Sequence, residues 1–283
     1  MNALLIASVV ISMALQSVSR KSYQKKTSGK GSCIFNVIAC LTAAVFFWVS
    51  GGFEFDMNPA VIPYSIGFAA TYGTTVYCGF LALMYGPLSL TSLISGYSLM
   101  VPTLYGLVFM NEPISVYLII GLVFLALSLF FIAIKKEEKQ ISARWVVLVT
   151  LSLLGNGICS TILSVQQINF EGAYKNEFMI MALILLVIFL SVVTYRREKR
   201  EIKESLKVGI GWMVLWGVLN GATNLFVMML ATRVPASIMY PLISGFGLIL
   251  SWLMSRFLYK EKLTPLQNLG FVFGIFAIIF LNL

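Results

Sequence analysis

The chain of 283 residues lacks the side chains that most enzymes use for acid–base chemistry and metal binding. It contains no histidine, only one aspartate (Asp56), and 11% charged residues. Without histidine there can be no Ser/His dyad, and a pair of catalytic aspartates cannot be assembled. No His/Cys/Asp cluster is available to hold a catalytic metal. We therefore predict a protein that is not an enzyme and that needs neither a metal nor a cofactor.

The scarcity of charge also excludes an ordinary soluble domain, which carries about 25% charged residues. Hydrophobic residues make up 59% of the chain, and the mean hydropathy is +0.92. The net charge of +9 does not predict a nucleic-acid partner, because the basic residues form short tracts between apolar runs. The predicted partners are a lipid bilayer and a small-molecule substrate. The sequence does not indicate an oligomeric state.

Cysteine is also scarce, and its spacing predicts neither a metal site nor a disulfide. The four cysteines all lie within apolar runs: Cys33, Cys40, Cys78 and Cys159. We expect them to be buried packing residues.

Ten apolar runs are long enough to cross a bilayer, and each predicts a transmembrane helix. Their approximate bounds are 2–19, 32–53, 63–85, 88–109, 114–134, 144–165, 176–195, 208–232, 236–257 and 265–282. The first run has no cationic region before it and no small-residue cleavage site after it, so it is predicted to be a helix and not a signal peptide. Pro102 and Pro241 lie inside predicted helices, where kinks are expected. The predicted fold class is an all-α polytopic membrane protein.

The second half of the chain repeats the first. The segment Leu93–Tyr97 (LISGY) recurs as Leu242–Phe246 (LISGF), and the same shift carries Glu112 onto Glu261. Matches that keep one register over some 30 residues are much stronger than a single pentapeptide. The repeat unit therefore contains five predicted helices.

We predict two five-helix, EamA-like repeats, residues 1–134 and 144–283. A second copy with an odd number of spans must cross the membrane in the opposite sense, so the repeats are inverted. A fainter similarity at a different shift relates Gln16, in the first predicted helix, to Asn156 in the sixth.

The charges of the connections reverse between the halves, as inverted repeats require. The connection after predicted helix 1 is basic, whereas its counterpart after helix 6 has Lys175 as its only basic residue. The connection after helix 2 carries Glu54 and Asp56, whereas its counterpart after helix 7 is strongly basic. Cytoplasmic connections collect Lys and Arg. We therefore predict a cell-membrane protein with cytoplasmic connections after helices 1, 5, 7 and 9 and with both termini on the non-cytoplasmic face.

The fourth and fifth predicted helices of each half carry the most specific motif. A short turn, a small-residue helix and a terminal acidic turn extend from Gly86–Ser89 to Asn111–Pro113, and again from Val234–Ser237 to Lys260–Lys262. In this pattern, and over nearly its whole length, the chain resembles the ten-helix members of the drug/metabolite transporter superfamily built from two EamA-type halves. That family exports amino acids, drugs and other metabolites or exchanges nucleotide sugars and phosphorylated sugars. The resemblance therefore implies transport without naming a substrate. Several relatives are thought to keep both termini in the cytoplasm, whereas the charges here predict the opposite.

Polar residues near the middle of the spans are the candidates for substrate binding, because such side chains are costly in lipid unless they face a cavity or a partner. Asn220 and Asn224 lie four residues apart on one helix face, with Trp216 one turn before them. The predicted substrate-binding set is Asn220, Asn224, Asn156, Gln16, Tyr72, Trp216, Tyr97 and Tyr240. The competing interpretation is structural, since polar side chains in membrane helices often only bond a neighbouring helix, at about 0.6 kcal/mol each.

The predicted function is that of a secondary transporter that moves, in the export direction, a small neutral, zwitterionic or amphiphilic metabolite such as an amino acid by alternating access. This substrate class follows from the lack of a charged partner in the core of any predicted span. A cationic multidrug efflux transporter is the alternative, because aromatic faces can hold a cation. A non-transporting membrane scaffold or regulatory subunit is the alternative from another class.

Overall fold

The structure, a computed structural model, describes residues 1–27, 30–56, 58–85, 91, 94, 96–133, 142–254 and 264–281. Within these ranges the chain forms ten α-helices and no β-strand. The helices are α1 (Asn2–Thr27), α2 (Ser32–Ser50), α3 (Ile62–Tyr85), α4 (Met100–Phe109), α5 (Val116–Ala133), α6 (Ala143–Asn169), α7 (Lys175–Arg197), α8 (Ile202–Ala231), α9 (Ala236–Leu253) and α10 (Pro265–Leu281). Two 3-10 helices lie at Pro59–Val61 and Tyr97–Leu99. The prediction of an all-α chain is confirmed.

The helices have the length and surface of a helical membrane protein. In the described ranges, five of them are long and apolar enough to cross a bilayer: α1, α2, α6, α7 and α8. Large apolar side chains lie on the outside, including Phe109 (70% exposed), Val116 (70%) and Ile188 (59%). So many exposed large apolar side chains are unusual for a soluble monomer, whereas the hydrocarbon chains of lipid are a suitable solvent for them.

Three helices extend beyond the apolar runs that predicted them. Helix α1 ends at Thr27 and not at Ser19, α6 ends at Asn169 and not near Val165, and α8 begins at Ile202 and not near Val208. The added turns contain Lys, Arg, Gln and Glu, which are good helix formers. Hydropathy marks only the part of a helix that suits lipid, so these polar turns were assigned to connections.

Several sequence predictions lie outside the described residues. These are Ser95 in the first LISG segment, Glu261 with its flanking Lys260 and Lys262, and the connections 134–141 and 255–263.

The helices form two compact units. Unit 1 contains Ala3–Gly73 and Val165–Thr232, and unit 2 contains Thr74–Ser164 and Arg233–Leu283. Each unit thus combines residues from both halves of the sequence. The repeats 1–134 and 144–283 remain a prediction about internal symmetry, which is a different property from compactness.

In unit 1, α2 packs against both α7 and α8. Phe47, Phe178 and Met213 are fully buried in this core. Helices α2 and α8 approach closely because α8 carries glycine at the contact: a Cβ atom on Gly217 would lie 2.5 Å from the Ala39 carbonyl oxygen. Small residues at such positions let backbones touch in membrane bundles.

The start of α2 is capped by carboxylates from the α7–α8 connection. Glu198, 8% exposed, accepts the backbone N–H of Cys33 at 2.9 Å and of Ile34 at 3.0 Å, and Glu201 accepts that of Gly31 at 3.1 Å. The first N–H groups of a helix lack internal partners and carry partial positive charge, so buried carboxylates stabilise them. The α1–α2 and α7–α8 connections therefore lie at one end of unit 1.

At the opposite end of unit 1, the α2–α3 connection lies beside the α6–α7 connection. Ser50, the last residue of α2, donates its hydroxyl to Asn176 Oδ1 at 3.0 Å, at the start of α7. The two basic connections thus share one end of the unit, and the connection carrying Glu54 and Asp56 is at the other, as the charge pattern predicted for this part of the chain.

In unit 2, α5 packs along α10 and α4 packs against α9. The rings of Phe124 and Phe280 stack with centroids 5.6 Å apart, and the Ser128 hydroxyl donates to the Gly270 carbonyl oxygen at 2.6 Å. Glu112 caps α9 by accepting the N–H groups of Ala236 at 2.9 Å and Ser237 at 2.8 Å. Each unit therefore has a helix start capped by a glutamate from a distant connection.

Candidate functional site

A cluster of polar side chains lies between α1 and α8 in unit 1. The two helices run antiparallel, and Gln16 Nε2 donates to Thr223 Oγ1 at 2.8 Å and to the Leu219 carbonyl oxygen at 3.4 Å. Asn220 Nδ2 donates to Gln16 Oε1 at 3.4 Å. We call Gln16, Asn220, Thr223 and Asn224 the α1–α8 cluster.

The amides of this cluster are only partly used by the protein. Asn224 Nδ2 donates to the carbonyl oxygen of Asn220 at 3.0 Å and to its Oδ1 at 3.1 Å. Among the described residues no donor reaches Asn224 Oδ1. Asn220 and Asn224 are half-buried, while Gln16 is 8% exposed. The cluster is thus not sealed inside a dry helix contact.

Arg20 extends the same face of α1 by one turn. Its Nη2 donates to Asn36 Oδ1 on α2 at 2.8 Å. Its guanidinium carbon lies 5.4 Å from the ring centroids of both Phe35 and Trp216. The side chain is nevertheless exposed. Arg20 therefore borders the surface of unit 1, while its guanidinium lies among protein atoms and is held by an amide and two aromatic rings.

The guanidinium of Arg20 has unused hydrogen-bonding capacity. It carries five N–H donors, and in the described part of the chain only Asn36 accepts one of them. No carboxylate there forms an ion pair with it. Tyr72 and Cys40 lie near enough to interact with its charge. A cation without an anionic partner is unusual within an apolar helix bundle.

Sequence reasoning missed Arg20 as a site residue because it was counted with the basic tract after predicted helix 1. A signal for it was present, since Ser12, Gln16 and Arg20 follow one another at four-residue spacing and so share one helix face. Helix α1 continues through Arg20 to Thr27, so Arg20 lies on the same helix as Gln16 and not in a connection.

The aromatic candidates Trp216 and Tyr72 also belong to unit 1. Trp216 is 8% exposed and packs edge-on against Phe35 with centroids 5.8 Å apart. Tyr72 on α3 lies against Phe68 at 5.8 Å. Trp216 already holds the Arg20 guanidinium near its ring, so this ring is not free to hold a cationic solute.

The remaining three candidates belong to unit 2, where they bond neighbouring helices. Asn156 Nδ2 donates to Ser98 Oγ at 2.6 Å. The Tyr97 hydroxyl donates to the Ala126 carbonyl oxygen at 2.8 Å. Tyr240, 3% exposed, donates its hydroxyl to the Ser160 carbonyl oxygen at 2.8 Å.

The predicted set thus divides between the two units. Unit 1 contains Gln16, Tyr72, Trp216, Asn220 and Asn224, and unit 2 contains Asn156, Tyr97 and Tyr240.

No protein-family model and no curated protein matches this sequence. Chains of known structure do match it. One of them, described only as the crystal structure of a protein, aligns over 99% of this chain and 95% of its own length, with a TM-score of 0.75 and 10% sequence identity. At 10% identity this likeness shows a shared fold and says nothing about a substrate.

Proposed function

We propose that the protein is a secondary transporter that moves a small metabolite across a cell membrane by alternating access, in the export direction. The α1–α8 cluster is the observation that carries this proposal. It places the half-buried amides of Asn220 and Asn224 on an apolar helix, one turn from Trp216, and polar groups in such positions are costly unless they face a cavity or a partner. A scaffold or regulatory subunit has no need of amides that remain accessible.

The inverted repeat is part of the proposal, and helix packing within the units supports it. Around a twofold axis, equivalent elements pack against each other, as in an isologous interface. Repeat-related helices do so here: α2 packs with α7 in unit 1, and α4 with α9 and α5 with α10 in unit 2.

Two hydrogen-bonded helix pairs agree with the same symmetry. The first helix of the first repeat bonds the third helix of the second, through Gln16 and Thr223. The first helix of the second repeat bonds the third helix of the first, since Ser152 Oγ donates to the Thr75 carbonyl oxygen at 3.1 Å. This reciprocity is expected if ten spans form two inverted five-helix repeats.

We also propose membership of the drug/metabolite transporter superfamily. Its support is the motif resemblance, the all-α fold and the reciprocal pairing of the two halves. The orientation proposed from the charges, with both termini outside, assigns the Glu198 end of unit 1 to the cytoplasm.

Transport by purified protein in vesicles tests the proposal. Wild-type protein is expected to move members of a panel of radiolabelled amino acids and their acetylated derivatives, and to leave a panel of quaternary ammonium compounds untouched. Asn220→Ala is expected to raise the KM of the transported compound about three- to tenfold, the effect of losing one hydrogen bond. Asn169→Ala is the matched control, because Asn169 is exposed and its side chain donates to the Tyr64 hydroxyl at 2.8 Å, away from the α1–α8 cluster. It should transport as wild type does.

Transport of the quaternary ammonium panel alone would overturn the substrate class. Absence of any solute movement by folded protein, over both panels and both directions of membrane potential, would favour the scaffold.

A further inference from the structure

We propose that Arg20 is the substrate-recognition cation of this transporter and that it binds a carboxylate on the solute. The inference rests on the proposed function and narrows the substrate to small organic acids with one carboxylate. It replaces a neutral solute as the expected cargo.

The need for an anion follows from the surroundings of the guanidinium. A charged side chain among membrane helices is costly unless an opposite charge or a water-filled space compensates it. Arg20 is exposed, and among the described residues its one acceptor is the neutral amide of Asn36 and no carboxylate pairs with it. A solute carboxylate would supply the missing charge and occupy the free N–H donors.

The position of Arg20 is already fixed before a ligand arrives. Asn36 holds one nitrogen, and the rings of Phe35 and Trp216 flank the guanidinium. Less side-chain entropy is therefore lost on binding, which favours affinity. The planar guanidinium can then present two parallel N–H groups to the two oxygens of a carboxylate.

A carboxylate fits the local charge better than a phosphate. The neighbours Asn36, Tyr72 and Gln16 are uncharged groups, so the described surroundings of Arg20 supply one positive charge. A carboxylate carries one negative charge, whereas a phosphate monoester carries close to two at neutral pH. A cationic drug would meet Arg20 with the same sign of charge, and it would find the Trp216 ring already in contact with the guanidinium.

The rest of the solute can reach the α1–α8 cluster. Gln16 lies one turn from Arg20 on α1, a rise of about 6 Å. A solute of this length could place its carboxylate on Arg20 and a hydrogen-bonding group beside Asn220, whose amide nitrogen makes a long 3.4 Å contact with Gln16 while its oxygen accepts from Asn224 at 3.1 Å.

Calorimetric titration of purified protein in detergent tests the assignment. N-acetylphenylalanine is the probe, and N-acetylphenylalaninamide is its uncharged counterpart of nearly the same shape. Wild-type protein should bind the acid at least about tenfold more tightly than the amide, because a hydrogen bond to a charged group is stronger than a neutral one. Arg20→Gln should abolish this preference. Arg20→Lys should retain a few-fold preference, since it keeps the charge but loses the planar fork.

Arg144→Gln is the matched control. Arg144 is also exposed and lies over an aromatic ring, with its guanidinium carbon 4.2 Å from the Tyr85 centroid, but it lies in unit 2. Its replacement should leave the preference for the acid unchanged. Equal binding of acid and amide by wild-type protein, or an equal loss in Arg20→Gln and Arg144→Gln, would overturn the assignment.

A lipid headgroup could provide an anion for the same guanidinium, so the titration is repeated in nanodiscs. Phosphatidylcholine alone should preserve acid binding, and so should a mixture with phosphatidylglycerol. Loss of acid binding in the mixture would assign Arg20 to a lipid and overturn the assignment to a solute. Failure of the transport assay together with Arg20-dependent acid binding would reject the transporter and keep the site. If the protein transports neutral solutes and Arg20→Gln leaves that transport unchanged, the transporter is kept and the carboxylate site is rejected.

Discussion

Helices α1 and α6, which the proposed repeat relates, carry different side chains at corresponding positions. In the register that relates Gln16 to Asn156, Arg20 corresponds to Ser160. Arg20 is exposed and, among the described residues, donates only to Asn36, whereas the Ser160 hydroxyl donates to its own helix, to the Asn156 carbonyl oxygen at 3.0 Å. If the proposed repeat holds, corresponding positions carry different chemistry. The proposed recognition of a charged solute then belongs to unit 1, while Asn156, Tyr97 and Tyr240 of unit 2 bond neighbouring helices.

Labelling of introduced cysteines is the all-or-none test of which face the Arg20 end of unit 1 occupies. Arg200 and Glu54 are exposed at opposite ends of this unit, and the native cysteines are buried. In intact cells, a membrane-impermeant maleimide should label Glu54→Cys, whereas Arg200→Cys should react only after permeabilisation. The converse pattern would reverse the orientation drawn from the charges. Equal labelling of both would mean that the two ends are not on opposite faces.

Removal of the capping glutamate should lower the free energy of unfolding in both units, because each unit has a helix start capped in this way. Glu198→Ala leaves the buried N–H groups of Cys33 and Ile34 without acceptors and should lower the free energy of unfolding by about 3 kcal/mol. Glu112→Ala should cost about 1–2 kcal/mol, because Glu112 is less buried. Reversible unfolding in mixed micelles measures both. A larger loss from Glu112→Ala would contradict the burial argument.

Replacement of the matched amides should separate the two units by function. Gln16→Leu removes the side chain that joins Thr223 and Asn220, and it should raise the KM for transport about tenfold. Asn156→Leu loses the bond to Ser98 and should lower stability with less than a threefold change in KM. Equal KM effects would give unit 2 a share in substrate binding and weaken the contrast between the units.

The smallest expected effect concerns Tyr240. Tyr240→Phe removes a hydroxyl that donates to the Ser160 carbonyl oxygen, so the free energy of unfolding should fall by about 1 kcal/mol. Substrate affinity should stay at the wild-type value in the same vesicle assay. A change in affinity without a change in stability would return Tyr240 to the substrate-binding set.

Sequence reasoning located the helices better than their ends. Apolar runs identify segments that suit lipid, and the observed start of α10 at Pro265 follows the rule that proline is tolerated in the first turn. The predicted end of α1 at Ser19 was wrong. The buried Tyr23 donates its hydroxyl to the Gly31 carbonyl oxygen at 2.8 Å and so stabilises a further, polar turn. Such a tertiary contact leaves no trace in hydropathy.

The candidate site could be predicted only in part. Four-residue spacing identified Asn220 with Asn224, and the structure joins this pair to Gln16. Spacing alone could not tell which amides stay accessible and which, like that of Asn156, bond a neighbouring helix. Arg20 was missed because a rule about loop charge was applied to a residue inside a helix.

The glutamate cap on α2 limits how this protein can be altered by insertion. The connection between α7 and α8 contains only residues 198–201, and its first and last side chains both hold the start of α2. This connection belongs to the most basic stretch of the chain, and its polar sequence suggests a site that would tolerate a fused reporter or an affinity tag. Added residues there would pull Glu198 and Glu201 away from a helix that neither adjoins in sequence. Single-residue labels such as Arg200→Cys are therefore suited to this connection, whereas larger insertions are not.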